Sequence, residues 1–324
     1  MTEIDKPLQT QPIYQAEKPT TMDIDLNNLT AAQQVALRRL AKELTHRLAT
    51  EFIFCFALQR YEAQSIHCFG PKVDKNWFRT DILLVYNDSE QRSLPEIHHL
   101  ANSVTLEDHQ YAAVVMAYSE AMQQLTNGDA FAGTVFQHGA LLYSGMNTLP
   151  PRKVFVCHET LLRQTREGWR CWFNNSCQFM DCASYCLMEH KFNMAVFMVH
   201  QSVEQACKAM LKVMLYMRPN THNLAWMLKL CSALAPEIAS VFPRDNPENK
   251  ALFNLLKSSY MDSRYAAGFA VNEEQAWALY YRASTLLRIA GELCNKRIAE
   301  LEVWVGESQA SMASSPLMAT VPIN

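Results

Sequence analysis

Residues 194–216 read MAVFMVHQSVEQACKAMLKVMLY. Val196, Val199, Val203, Ala206, Met210 and Val213 recur at alternating spacings of three and four, which sets them on one stripe of an α-helix. His200, Gln201, Glu204 and Lys208 fall on another side, within roughly one quadrant at about 100° per residue. Phe197, Leu211 and Leu215 flank that quadrant, so a polar island is set into an otherwise apolar helix. A helix apolar nearly all round belongs inside an all-α unit. The island is then a satisfied hydrogen-bond network in a core or the wall of a site. The first arrangement is the commoner, because buried polar groups are usually just hydrogen-bonded.

Working outward, the neighbours are helical too. Residues 159–188 carry Leu162, Trp169, Trp172, Phe173, Phe179 and Tyr185. Pro219 stops the island helix, Thr221 offers a cap for a helix over 222–234, and Pro236 closes it. Asp245-x-x-Glu248, with Pro247 at the first helical position, starts another that runs to about Tyr265 before Gly268. Asn272 starts the last, through Trp277, Tyr280, Leu286, Leu287 and Leu293 to about Val303. Four or five helices make an all-α bundle.

Before Pro150-Pro151 the pattern changes. Thr30 can cap a helix over 29–49 whose apolar side is Val35, Leu37, Leu40, Leu44 and Leu48. Short apolar runs follow at 51–58 (EFIFCFAL), 64–70, 80–88 (TDILLVYND), 111–118 and 140–143, with helical stretches at 98–106 and 120–127 between them. Buried strands alternating with helices predict a small α/β sheet domain. The expected organisation is a flexible arm at 1–27, an α/β domain at 28–150, a helical bundle at 151–305 and a disordered tail at 306–324. The fold class is α+β in two domains.

Composition narrows the function classes. Of 324 residues 49% are hydrophobic, 19% are charged and only 9 are Gly, as in a helix-leaning globular protein. A net charge of -3 gives no overall field to draw double-stranded DNA. Ten Cys without a CxxC pair, with Cys177, Cys182 and Cys186 among helical residues, favour reduced thiols over disulfides or zinc. The start of the chain has no basic and apolar leader, and no apolar run reaches the ~18 residues of a membrane span. The expectation is a soluble cytoplasmic protein with no membrane partner, no metal site and no cofactor.

The segment VHQSVEQACKAML, the turn RPNTHNL and FPRDNPENKALFNLLKSSYMDSRYAAGF together resemble the HEPN domain over about residues 169–301. More narrowly, they resemble bacterial proteins in which HEPN follows a minimal nucleotidyltransferase-like domain. In that likeness EFIFCFAL stands where the transferase has its first strand, TDILLVYND where it has the carboxylate-bearing strand, and AFAGTVFQHGALLYSG where it has a closing helix and strand. The resemblance implies that His200, Gln201, Glu204, His222, Arg264 and Tyr265 face one groove used for nucleotide or RNA binding and for homodimerisation through the bundle.

The departures limit what carries over. A transferase needs Gly-Ser after the first strand so that backbone amides approach phosphates, and this chain has Ala57-Leu58. It also needs two carboxylates one residue apart to hold Mg²⁺, and Asp81 is followed by Leu83. Asp81 therefore reads as a strand-edge residue, and the transferase half as degenerate. The ribonuclease branch of HEPN places a His shortly after its Arg. Arg264-Tyr265 stands at that place, but residues 266–272 contain no His. The ligand-binding candidates are His200, Gln201, Glu204, Lys208, His222, Arg264 and Tyr265, and no residue is assigned to catalysis. Arg264, His200 and His222 are the candidates should catalysis remain.

The first expectation is a non-catalytic module that binds a nucleotide or RNA phosphate. The alternatives are a purely structural oligomer and a metal-independent, toxin-like ribonuclease. His98-His99 with His109 reads as solvent-exposed. Arg282, Arg288, Lys296 and Arg297, alternating with Glu292 and Glu300, read as a solvated face, and Trp169, Trp172 and Trp226 as core.

Overall fold

The computed structural model describes residues 24, 26, 29–65, 73–106, 109–145, 150–151, 157–265 and 268–313, excluding the side chains of 60–65, 73–77, 264–265 and 308–313. The N-terminal arm, the second strand expected beyond Ser65 and the end of the tail lie outside the described residues.

The first half is a four-stranded sheet in the order β3-β2-β1-β4. β1 (Thr50–Ser65) and β2 (Val73–Tyr86) form a long antiparallel hairpin, β4 (Ala140–Ser144) lies antiparallel to β1, and β3 (His109–Ala117) lies parallel to β2. Side chains alternate across these strands and define two cores. Ile53, Ile82, Leu84, Tyr111 and Ala113 face α1 (Ala31–Arg47) and α2 (Leu94–Ala101). Phe52, Phe54, Leu83, Val85, Ala112 and Val114 face the other way. α3 (Tyr118–Thr126) and α4 (Ala130–His138) begin to cover that second face. Thr30 closes a capping box on α1 as expected, with its Oγ1 accepting from Gln33 N and Gln33 Oε1 accepting from Thr30 N. Leu37, Leu40, Leu44 and Leu48 are buried, but Val35 is 59% exposed and leaves the predicted apolar side.

The second half is helical. α5 (His158–Met188) precedes α6 (Phe192–Leu215), then come α7 (Leu224–Leu234), a short α8 (Ile238–Val241), α9 (Pro247–Tyr265) and α10 (Glu273–Ala313). α6 is the hub, touching α5, α7, α9 and α10. Its stripe of Val196, Val199, Val203, Ala206, Met210 and Val213 is fully buried, which is what the spacing demanded.

Several boundaries differ from expectation, each for a local reason. α6 ends at Leu215, four residues before Pro219, because Tyr216 turns left-handed (φ 61) and its N–H bonds Leu211 O. Asn223, not Thr221, caps α7 by accepting from Trp226 N at 3.1 Å, while Thr221 Oγ1 accepts from Asn223 N. Asn246, not Asp245, accepts from Asn249 N at 2.8 Å at the start of α9. Asn272 caps α10 as read, but that helix continues past Gly306 to Ala313. Arg282 and Arg297 leave the predicted solvated face to bond Asn249 Oδ1 and Tyr216 Oη.

The halves share one core. The cluster that holds Phe52, Leu83 and Val114 of the sheet runs on through Trp226, Met210 and Leu286 of the bundle. α7 is the seam: Trp226 Nε1 donates to Ala113 O at 2.9 Å. Arg79 of β2 donates to Ser232 Oγ at 3.2 Å and to Lys229 O. Among the described residues no helix is long and apolar enough to cross a membrane.

Candidate functional site

The island becomes a network around one carboxylate. Glu204 is 1% exposed at the middle of α6. A turn later on the same helix, Lys208 Nζ donates to Glu204 Oε1 at 2.7 Å. A turn earlier, His200 Nε2 lies 3.7 Å from Oε2. The fourth member comes from outside the helix: His222 Nδ1 stands 3.0 and 3.2 Å from the two carboxylate oxygens. The left-handed turn at Tyr216 makes this reach feasible, since it brings the chain back over α6. Burial would push the Glu204 carboxyl up, but the adjacent His200 ring edge, hydrogen bonds from Lys208 and His222 and the Lys208 charge hold it down, at about 2. The carboxylate is therefore ionised at any physiological pH.

That charge decides the tautomer of His222. A carboxylate only accepts, so Nδ1 carries the hydrogen and the neutral ring keeps its lone pair on Nε2. The ring is held flat against Tyr260 of α9, with centroids 5.1 Å apart and planes at 18°. Its side chain is nevertheless 60% exposed, so the outer edge meets solvent. His200 is oriented the other way. It is buried, its Nδ1 donates to Leu256 O of α9 at 2.9 Å, and its ring also leans on Tyr260. The network thus ties α6, α9 and the 216–223 connection together and presents one imidazole outward.

His200, Glu204, Lys208 and His222 are brought together as predicted. Gln201 stands outside the network, half-buried, with its Nε2 unpartnered. Lys208 is committed to Glu204 and only 15% exposed, so it offers less free charge than its position suggested. The side chains of Arg264 and Tyr265 lie outside the described residues, though their backbone forms the last turn of α9. Tyr260, which stacks on His222 and meets His200 at a tilt, is absent from the predicted set. It stands one turn before Arg264 in KSSYMDSRY, and that spacing is the signal that could have found it.

In the sheet half, the positions that correspond to a transferase site lie within the strands. Ala57 and Leu58 are inside β1, paired to Asp81 and Thr80, so the chain runs extended where a phosphate loop would turn. Asp81 is not at a strand edge. It is mid-strand in β2, 2% exposed and bound to Arg79 Nη2 at 3.0 Å. Burial drives its pKa up to about 6 against the pull of Arg79. The face it occupies is covered by α7. His109 is likewise buried rather than exposed. It stacks on Phe78 at 4.1 Å, its Nε2 bonds Thr80 Oγ1 at 2.8 Å, and burial lowers its pKa to about 4.

An all-α unit organised on one polar-bearing hub helix, packed against a small α/β sheet, is the class this geometry defines. The family model of the HEPN domain matches residues 169–293, from Trp169 in α5 to Leu293 in α10, and so includes the Glu204 network. That region of the chain is a HEPN domain. A solved structure similar to the chain is that of a nucleotidyltransferase-like protein from Exiguobacterium sibiricum 255-15. It is 10% identical, covers 82% of this chain and 78% of its own, and has a TM-score of 0.27. No curated protein matches the chain.

Proposed function

We propose that the HEPN region binds a nucleotide or an RNA phosphate beside His222, and that the sheet half performs no nucleotidyl transfer. The observation that carries the reading is the exposed His222 ring, held by a buried carboxylate on one side and by Tyr260 on the other. A network needed only for packing would have no reason to support an imidazole whose outer nitrogen faces solvent. The backbone of α9 sets Arg264 one turn after Tyr260, on the same side of the helix, which supplies a cation suited to phosphate. The loss of a phosphate turn at Ala57-Leu58 and the burial of Asp81 support an inactive transferase half. Tyr185, Met188, Met194 and Met261 are exposed at the end of the bundle where α5 meets α6 and α9 ends, which supports docking of a second copy there.

The test is titration of the full chain with labelled nucleotides and short RNAs. Binding should appear and should weaken at least tenfold in His222→Ala and in Arg264→Ala, with melting temperatures preserved. No binding, or affinities indifferent to both changes, would sink the proposal.

A second reading is favoured by one detail. A carboxylate behind a neutral imidazole is the pairing that orients a general base, and His222 Nε2 is the accessible nitrogen. A ribonuclease of this kind needs no metal. RNA cleavage in EDTA that vanishes in His222→Ala would establish it, and intact RNA would remove it.

A further inference from the structure

A cleft of about 370 Å³ opens between the two halves, along the free side of β3. β3 is the outermost strand there, and its register with β2 is unbroken from Phe78↔His109 to Tyr86↔Ala117. Ala113 turns its main chain away from β2: its N–H donates to Asn102 Oδ1 at 2.9 Å, and its carbonyl accepts from Trp226 Nε1 and Asn102 Nδ2. Backbone groups alternate in direction along a strand, so Val115 points its N–H and C=O outward as well. Val115 lines the cleft, and neither group has a partner among the described residues. An unpaired strand edge is a template for another extended chain.

The cleft also carries charges of both signs. Arg218 enters from the 216–223 connection, lying over the Trp172 ring at 6.0 Å with no carboxylate partner among the described residues. Glu120 enters from α3, bonded to Gln124 Nε2 rather than to a cation. Val114, Met116 and Phe131 supply apolar surface between them. The free edge is short. Trp226 and Asn102 occupy Ala113 on one side, and Ala117 is already the N-cap of α3 on the other. A volume of 370 Å³ is near the low end of ordinary ligand sites, roughly 300–1,000 Å³.

We infer that this cleft binds a short peptide with free termini, two or three residues long, added to the edge of β3. The ligand's amide pairs with the Val115 main chain, its carboxylate meets Arg218 and its ammonium meets Glu120. A small apolar side chain rests on Val114 and Met116. The site is distinct from His222, which faces Glu204 on the other side of the same connection.

The experiment is calorimetric titration of the full chain with alanyl-leucyl-alanine. The companions are the same peptide N-methylated at leucine, the same peptide acetylated and amidated, and adenosine. The free peptide should bind, and N-methylation and terminal blocking should each weaken it at least tenfold. Arg218→Ala and Glu120→Gln should each weaken the free peptide by about tenfold, leave the blocked one unchanged, and melt like wild type, because both side chains are on the surface. Absence of binding by the free peptide overturns the inference, as do equal affinities for free and blocked forms or indifference to N-methylation. Adenosine binding that Arg218→Ala weakens would make the cleft a nucleoside site and overturn it equally. Nucleotide binding that only His222→Ala weakens belongs to the other site and leaves this one to be judged by the peptides.

Discussion

Glu204→Ala removes the acceptor on which His200, Lys208 and His222 converge. A carboxyl held at about 2 against an ordinary 4.5 is stabilised in its ionised form by about 3 kcal/mol relative to the unfolded chain. Breaking a buried pair typically costs about 3–5 kcal/mol. The lower end applies here, since the 15% exposed Lys208 ammonium can swing toward water when its partner goes. A loss of about 3 kcal/mol corresponds to a melting temperature roughly 6–12 °C lower in a unit of this size. The pH dependence gives an independent check. Because the folded pKa lies below the unfolded one, this group's contribution is complete above about 4.5 and is lost as pH falls through about 2. Urea melts of wild type should therefore show stability falling between about pH 4.5 and 2, and Glu204→Gln should lack that component. A Glu204→Ala protein that melts within 2 °C of wild type, or a Gln variant with an unchanged acid limb, would refute the network as described.

Asp81 should behave in the opposite sense. Its folded pKa of about 6 lies above the ordinary 3.8, so the folded state binds more protons and stability falls as pH rises through that window. Asp81→Asn should flatten urea-melt stability between about pH 4 and 6, and an unchanged slope would count against the assignment. Trp226→Phe deletes the indole N–H that reaches Ala113 O, a carbonyl still served by Asn102, so it should cost about 1 kcal/mol in a thermal melt. The full chain with ATP and Mg²⁺ should transfer no AMP; radiolabel on an acceptor, lost in Asp81→Asn, would restore the transferase half.

What could be read from the chain follows physical range. The α6 stripe was legible because helical periodicity is local, and the caps at Thr30 and Asn272 because a cap involves residues three apart. His200, Glu204 and Lys208 were legible as a group for the same reason. Tyr260 was legible only as the neighbour of Arg264 one turn earlier; its contact with both histidines was not, because nothing in the spacing of α6 and α9 says which face of one meets which face of the other. Arg79 was invisible as well. Its partners Ser232 and Lys229 lie 150 residues or more away, and only the packing of α7 on the sheet brings them together. Asp81 and His109 were misplaced because a polar residue bracketing an apolar run is normally at its edge. Here both runs continue and bury them with partners.

The 216–223 connection is where these threads meet, and its geometry is costly to make. A left-handed Tyr216 is strained by about 1–2 kcal/mol relative to a helical conformation. The turn is pinned from three sides: Lys212 Nζ donates to its carbonyl at 3.3 Å, Arg297 Nη2 to its hydroxyl at 3.0 Å, and its N–H reaches Leu211 O. A simple continuation of α6 would avoid the strain but would carry His222 away from Glu204, leaving the carboxylate with Lys208 as its hydrogen-bond donor. The sharp turn instead lets one connection set His222 on the bundle while Arg218, Thr221 and Asn223 line the cleft against β3. The two proposed sites would then stand back to back on eight residues, fixed by side chains from α6 and α10, and would give a direct reason for the turn to be held in a conformation that tyrosine rarely adopts.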